Sequence, residues 1–199
     1  MGIGKQAKTL TSKQVDLVLK HLESTRYPLR NKVIFMFSCK AGLRAKEIAN
    51  ITWSMICNSD GELGSSINLT NKASKGKDSG RVIPLHKDLR TLLSELLEKR
   101  RQQDNFTVSD HVIRTERDSK TSPQVIVNFF SGLYKGIGFE GASSHSGRRT
   151  FITNAAKKIS LAGGTLNDIK LLAGHSSLAT TQRYIAYDTE AQKKIIELI

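Results

Sequence analysis

Apolar residues recur at helical spacing along most of this chain. Val15, Val18, Leu19 and Leu22 fall at i, i+3, i+4 and i+7 behind Thr11-x-x-Gln14, a capping box that satisfies the first free amides of a helix. Arg30 to Ala41 reads as a buried helix closed by Gly42, because glycine takes the left-handed conformation without a Cβ penalty. A short helix carrying Ile48 and Ile51 follows Arg44, and Leu89, Leu92, Leu93, Leu96 and Leu97 mark a longer amphipathic one. Ser122-Pro123 opens the next, with Ile126, Phe129, Phe130 and Leu133 on one face. Between Gly61 and Leu85 the period changes. Ile67-Asn68-Leu69 and Val82-Ile83 read as strands, joined by a Gly- and Lys-rich turn from Ala73 to Gly80. Three or four helices follow, one capped by Thr165 and ended by Gly174. The pattern predicts a mainly α fold with a small antiparallel β-sheet, an α+β domain.

Composition narrows the partners. The longest purely apolar run, Val33-Ile34-Phe35-Met36-Phe37, is too short to span a bilayer, and the first residues carry neither a signal-peptide core nor, with Gln6, a myristoylation site. A soluble, cytoplasmic protein with no membrane partner is expected. Cys39 and Cys57 lack C-x-x-C spacing and are expected as buried free thiols. At 199 residues and 38% hydrophobic content the chain can bury a core in one domain, or two small ones. Lys+Arg 31 against Asp+Glu 18 leaves a formal charge of +13, spread through clusters such as Lys72/Lys75/Lys77/Arg81 and Arg148/Arg149. The usual polyanion for such a field is nucleic acid, although anionic membrane surfaces and plain solubility fit it too.

The segment from 145 to 184 carries the candidate chemistry. His145 and Arg148 share a helix face, and the stripe continues through Phe151, Ile152 and Ala155 into the core. An arginine so placed is costly to desolvate and needs an anionic partner, either a buried carboxylate or a bound ligand. His175 directly follows Gly174, and Tyr184 comes nine residues later on a helix that Ser176 or Ser177 can cap. Taken singly, the histidine fits a capping role and the tyrosine a packing one. One functional reading explains the set.

His145-Ser-Gly-Arg148, then Leu171-Leu172-Ala173-Gly174-His175-Ser176-Ser177, then Thr180-Thr181-Gln182-Arg183-Tyr184 resembles the catalytic signature of the tyrosine recombinases, the phage integrase family. Ala41-Gly42-Leu43-Arg44-Ala45-Lys46-Glu47-Ile48 with Ile51-Thr52-Trp53 resembles that family's first arginine box, and Arg81-Val82-Ile83-Pro84-Leu85 the end of its lysine-bearing hairpin. Five motifs stand in the family's order over roughly residues 10 to 190. The resemblance implies a catalytic set of Arg44, a hairpin lysine, His145, Arg148, His175 and Tyr184. Lys75 fits the hairpin position, with Lys77 the alternative and Lys72 a more distant one; Tyr187 competes less well with Tyr184 because of the nine-residue step from His175.

It further implies a DNA strand transferase serving integration, excision or inversion. Tyr184 would attack the scissile phosphate, leaving a 3′-phosphotyrosyl bond and a free 5′-hydroxyl and conserving bond energy without ATP. Arg44 and Arg148 would clamp the non-bridging oxygens with forked donors. Lys75 would protonate the leaving oxygen, His145 assist proton transfer from the tyrosine and His175 donate to the phosphate. No metal or other cofactor is expected, since these side chains meet the charge a cation would neutralise, and no H-E-x-x-H, Cys cluster or Walker A loop occurs. Glu47 is either the partner that orients Arg44 or a solvent-facing helix charge, and Trp53 either core or a base-stacking platform. Lys72, Lys77, Arg81 and Arg149 are candidate contacts to flanking double-stranded DNA. A type IB topoisomerase-like enzyme and a non-catalytic DNA-binding module are the alternatives.

The expected division is a basic segment at 1–9, the catalytic domain at 10–188 and an amphipathic helix at 189–199 that packs at home or on a neighbouring protomer in a synaptic complex. Both a naturally short recombinase and an isolated catalytic domain fit a pattern beginning near Leu10. One-sided binding that neutralised about six phosphates would give a slope of log K against log salt near about −5.

Overall fold

The computed structural model describes residues 7–74, 80–116, 118–184 and 196–197. Among these run α1 (Ser12–Glu23), α2 (Pro28–Ala41), α3 (Ala45–Asn50), β1 (Ser66–Leu69), β2 (Arg81–Pro84), α4 (Lys87–Arg101), α5 (Pro123–Gly136), α6 (Ser146–Lys158), α7 (Leu166–Ala173) and α8 (Leu178–Gln182). β1 and β2 form an antiparallel pair, with Ser66 opposite Pro84 and Leu69 opposite Arg81. The expected mainly helical α+β architecture is the observed one. No helix among the described residues is long and apolar enough to cross a membrane.

Local chemistry sets the element ends. Thr11 and Gln14 make the reciprocal capping box of α1, Thr165 and Asp168 that of α7, and Ser122 caps α5 ahead of Pro123. Gly42 and Gly174 close α2 and α7 at φ 64° and 60°.

The central element is α2. Val33 through Cys39 are buried without interruption, so this helix is apolar on every side and the other elements pack around it. The closest approach is that of α6. A Cβ on Gly147 would lie 2.5 Å from Ser38 Oγ and 2.8 Å from Cys39 Sγ, so only glycine admits α6 at this depth. Trp53 is fully buried and therefore core, and Cys39 and Cys57 are buried free thiols. A second, smaller cluster lies apart from the main core: Ile152, Ile169 and Ala173, with Phe151, Ile159, Leu166 and Tyr184 packed against it. The chain before α1 is tied to the body by Lys8 N–H to Gly141 O at 3.1 Å and Leu10 N–H to Thr150 Oγ1 at 2.8 Å. Lys75, Lys77, Tyr187 and, apart from 196–197, the 189–199 tail lie outside the described residues.

Candidate active site

Gly42 turns the chain out of α2 and places Arg44 at the N-cap of α3, in extended backbone conformation. Glu47, one turn on, accepts the Arg44 backbone N–H at 2.8 Å and Nη1 of its guanidinium at 2.8 Å. Glu47 is fully buried, which settles its role as the orienting partner. Two further groups converge on the same carboxylate. Arg81 donates from both terminal nitrogens, at 2.9 and 3.0 Å, and Ser74 Oγ donates at 2.7 Å. Burial pushes the Glu47 carboxyl up, but the hydrogen bonds and charge of Arg81, and then of Arg44, outweigh it and hold the group at about 2.

Arg148 lies on the buried face of α6 with 4% of its surface exposed. Its partners are carbonyl oxygens: Nη1 donates to Gly42 O at 2.5 Å and Nη2 to Ala173 O at 2.6 Å. Among the described residues no carboxylate bonds it, although a buried carboxylate was one of the two readings open from sequence. Both acceptors sit at helix C-termini, where the last carbonyls lack intrahelical partners and carry partial negative charge. The end of α7 serves three arginines in succession, with Leu172 O bound by Arg81 Nε at 2.9 Å, Ala173 O by Arg148 and Gly174 O by Arg44 Nη2 at 2.9 Å. Burial, then the charge of Arg44, lowers Arg148 to about 10, which leaves it cationic at neutral pH.

His175 follows this turn. Its Nδ1 lies 3.0 Å from Oγ1 of the fully buried Thr181, and its ring stacks on that of Tyr184 at 5.5 Å between centroids and 20° between planes. Burial first, then the charges of Arg148, Arg44 and Arg81, push the imidazole down to about 4, so it is neutral at physiological pH. When the Thr181 hydroxyl donates to Nδ1, the neutral ring presents Nε2–H as its donor; when it accepts from Nδ1–H, Nε2 is an acceptor.

Two hollows flank this histidine–tyrosine pair, His175 lining one and Tyr184 the other, with Thr180 lining both. An open groove of about 1180 Å³ is lined by Arg44, Arg81, His175 and Thr180, and a smaller one of about 340 Å³ by His145, Arg148, Arg149, Thr180 and Tyr184. Five of the six residues assigned to catalysis from sequence therefore come together: Arg44, His145, Arg148, His175 and Tyr184. The sixth, Lys75, lies outside the described residues, although its neighbour Ser74 is bound to Glu47.

The candidate DNA contacts divide differently. Arg81 does not face outward to a flanking backbone. Its side chain is 6% exposed and is engaged by Glu47 and Leu172 O, because strand β2 runs against the end of α7. Arg149 is half-buried, with its guanidinium carbon 5.9 Å from the centre of the Tyr184 ring. Lys72 is exposed and lines neither hollow, and Lys77 lies outside the described residues. Sequence reasoning gave Ser74, Thr181 and the inward role of Arg81 no weight. Ser74 and Arg81 matter through contacts to Glu47 across the fold, and Thr181 through one to His175 six residues back that no sequence motif marks.

Known structures share this architecture. The crystal structure of XerA recombinase matches 100% of this chain and 65% of its own, with a TM-score of 0.75 at 20% identity. The Tn1549 transposon integrase, solved in complex with circular intermediate DNA, matches 100% of this chain and 68% of its own at 0.75 and 17% identity. The fold is that of a tyrosine recombinase catalytic domain. Residues 8–191 match the model of the phage integrase family, and the chain belongs to that family. Among curated relatives, the tyrosine recombinase XerC of Rickettsia bellii (strain OSU 85-389) is 30% identical over 182 residues, 89% of this chain and 55% of that protein. The chain thus spans about half the length of this relative.

Proposed function

We propose that this chain is the catalytic domain of a site-specific DNA recombinase that cuts and rejoins strands through a 3′-phosphotyrosyl intermediate, for integration, excision or inversion of a DNA element. The observation that carries this reading is the convergence of Arg44 and Arg148 on Gly174 O and Ala173 O at the end of α7, directly before a neutral His175 stacked on Tyr184. Tyr184 Oη attacks phosphorus as the bond to the 5′-oxygen breaks. The phenol proton leaves through His145, and the hairpin lysine, Lys75 or Lys77, supplies one to the departing oxygen. Negative charge gathering on the non-bridging oxygens meets guanidiniums already fixed in place, so little reorganisation is needed at the moment of reaction. His175, neutral, donates from Nε2. No step draws on a metal ion or ATP. The substrate is double-stranded DNA, and exchange requires further protomers on the paired site, in keeping with a cytoplasmic, DNA-associated protein.

A nicked suicide duplex tests this. Wild type is expected to give a covalent protein–DNA band that Tyr184→Phe abolishes. Persistence of the band in that variant would reassign the nucleophile. Plasmid relaxation without exchange between two sites would move the reading to a topoisomerase-like enzyme.

A further inference from the structure

The smaller hollow beside Tyr184 has features that the clamp on the scissile phosphate does not use. Arg148 reaches its wall but is tied by Nη1 and Nη2 to Gly42 O and Ala173 O. Arg149, the next residue of α6, lines it with its guanidinium carbon 5.9 Å from the centre of the Tyr184 ring, and Arg183, one residue before Tyr184, also lines the space. None of the described residues lining it is acidic; Ser143 and His145 complete the polar wall. Arg149 Nε is buried and has no hydrogen-bond partner among the described residues. A buried N–H on a charged group without an acceptor is a costly arrangement, and an anion entering the hollow would relieve it. The Arg149 guanidinium, its carbon 5.9 Å from the centre of the Tyr184 ring, makes no hydrogen bond to a described residue, so its donors remain to be met by that anion.

We infer that Arg149 and Arg183 form a second phosphate seat, which holds the phosphodiester adjoining the scissile one on the cleaved strand. The assignment rests on reading the site as one that cleaves DNA. A strand carries one phosphate for each step of about 3.4 Å along the duplex axis, so a groove that brings one phosphate to Tyr184 necessarily brings its neighbour to the surrounding wall. The seat fixes the register of the strand, and because Arg149 lies against the Tyr184 ring, it couples occupancy by the neighbouring phosphate to the position of the nucleophile. Arg149 then contacts substrate directly, whereas Arg81, which also lies beside the site, holds Glu47 and Leu172 O.

The test replaces single phosphates near the cut with neutral methylphosphonates and measures each duplex against wild type, Arg149→Ala and Arg149→Lys. Binding is followed in the Tyr184→Phe background and cleavage with Tyr184 present. On an all-phosphodiester duplex, Arg149→Ala is expected to cut roughly 10- to 100-fold more slowly, the loss of one charge-assisted hydrogen-bonded contact, and Arg149→Lys to fall between it and wild type. On the duplex neutralised at the seated position, wild type and Arg149→Ala are expected to bind and cut alike, because the partner of the arginine has been removed. The seat is overturned if no single methylphosphonate abolishes the difference, which would confine Arg149 to the tyrosine ring, or if Arg149→Ala matches wild type on ordinary DNA. Failure of the parent reading looks different: wild type forms no covalent band on any duplex, while the binding comparison still decides the seat.

Discussion

Thr181 has no exposed surface, and its hydroxyl lies 3.0 Å from His175 Nδ1. On a neutral imidazole, that contact couples the tautomer to the direction of the hydroxyl: Nε2–H if Thr181 donates to Nδ1, Nδ1–H if it accepts. Valine has nearly the same shape and no hydroxyl, so Thr181→Val is expected to preserve the packing around α8 while releasing the tautomer. The expected outcome is a loss of about tenfold in cleavage rate, about 1.4 kcal/mol, with DNA affinity unchanged. Nitrogen chemical shifts of the His175 ring would report the tautomer directly. An unaltered ring spectrum would assign Thr181 to packing alone. His175 was legible in the sequence because a short motif carries it. Thr181 was not, because nothing in its neighbourhood distinguishes a hydroxyl facing a histidine from one facing water.

Among the elements, α2 and α6 fix the site's geometry by how closely they cross. Gly147 sits where a methyl group would meet Ser38 and Cys39 at under 3 Å, and it immediately precedes Arg148. Gly147→Ala is expected to lower stability by about 1–3 kcal/mol through overpacking, and to cut activity further by moving Arg148 off Gly42 O and Ala173 O. Urea unfolding and the suicide-duplex assay separate the two effects. Element ends such as Thr11, Gly42, Pro123 and Gly174 were readable in the sequence because capping is decided within four residues. The fate of Arg81 was not. Its partner Glu47 is 34 residues away, and a basic residue on an isolated strand looks identical whether it faces DNA or a buried carboxylate. Arg148 was legible as a residue needing a partner, and the partner itself was hidden because a backbone carbonyl has no residue type.

Across the whole molecule, the titrating groups of the site pull stability in one direction. The folded chain binds a proton at His175 only near 4, against an ordinary 6.5, so this contribution is complete above 6.5 and drains as pH falls through that interval. Glu47, held at about 2 against an ordinary 4.5, contributes fully above 4.5 and loses its share as pH falls toward 2. Urea midpoints measured from neutral to acid pH are therefore expected to fall in two overlapping limbs. His175→Gln should flatten the upper limb and leave the lower one. A midpoint independent of pH between 6.5 and 4.5 would contradict the placement of His175. The separation of the small cluster around Ile152, Ile169 and Tyr184 from the main core gives these changes a local outlet, since the nucleophile's surroundings can loosen before α2 does.

The oxygens of residues 172 to 174 that hold the three arginines belong to the main chain, and this bears on how the site can change over time. Exchanging Leu172 for another helix-compatible residue leaves its acceptor where it is, whereas Ala173 is fully buried in the small cluster and Gly174 sits at φ 60°, where a Cβ would lie 2.8 Å from Arg81 Nη1. Length is another matter. One residue added to or removed from α7 turns its last carbonyls by about 100° about the helix axis and carries them away from all three guanidiniums together. The pivot thus accepts respelling at Leu172, demands small residues at 173 and 174, and tolerates no change in count.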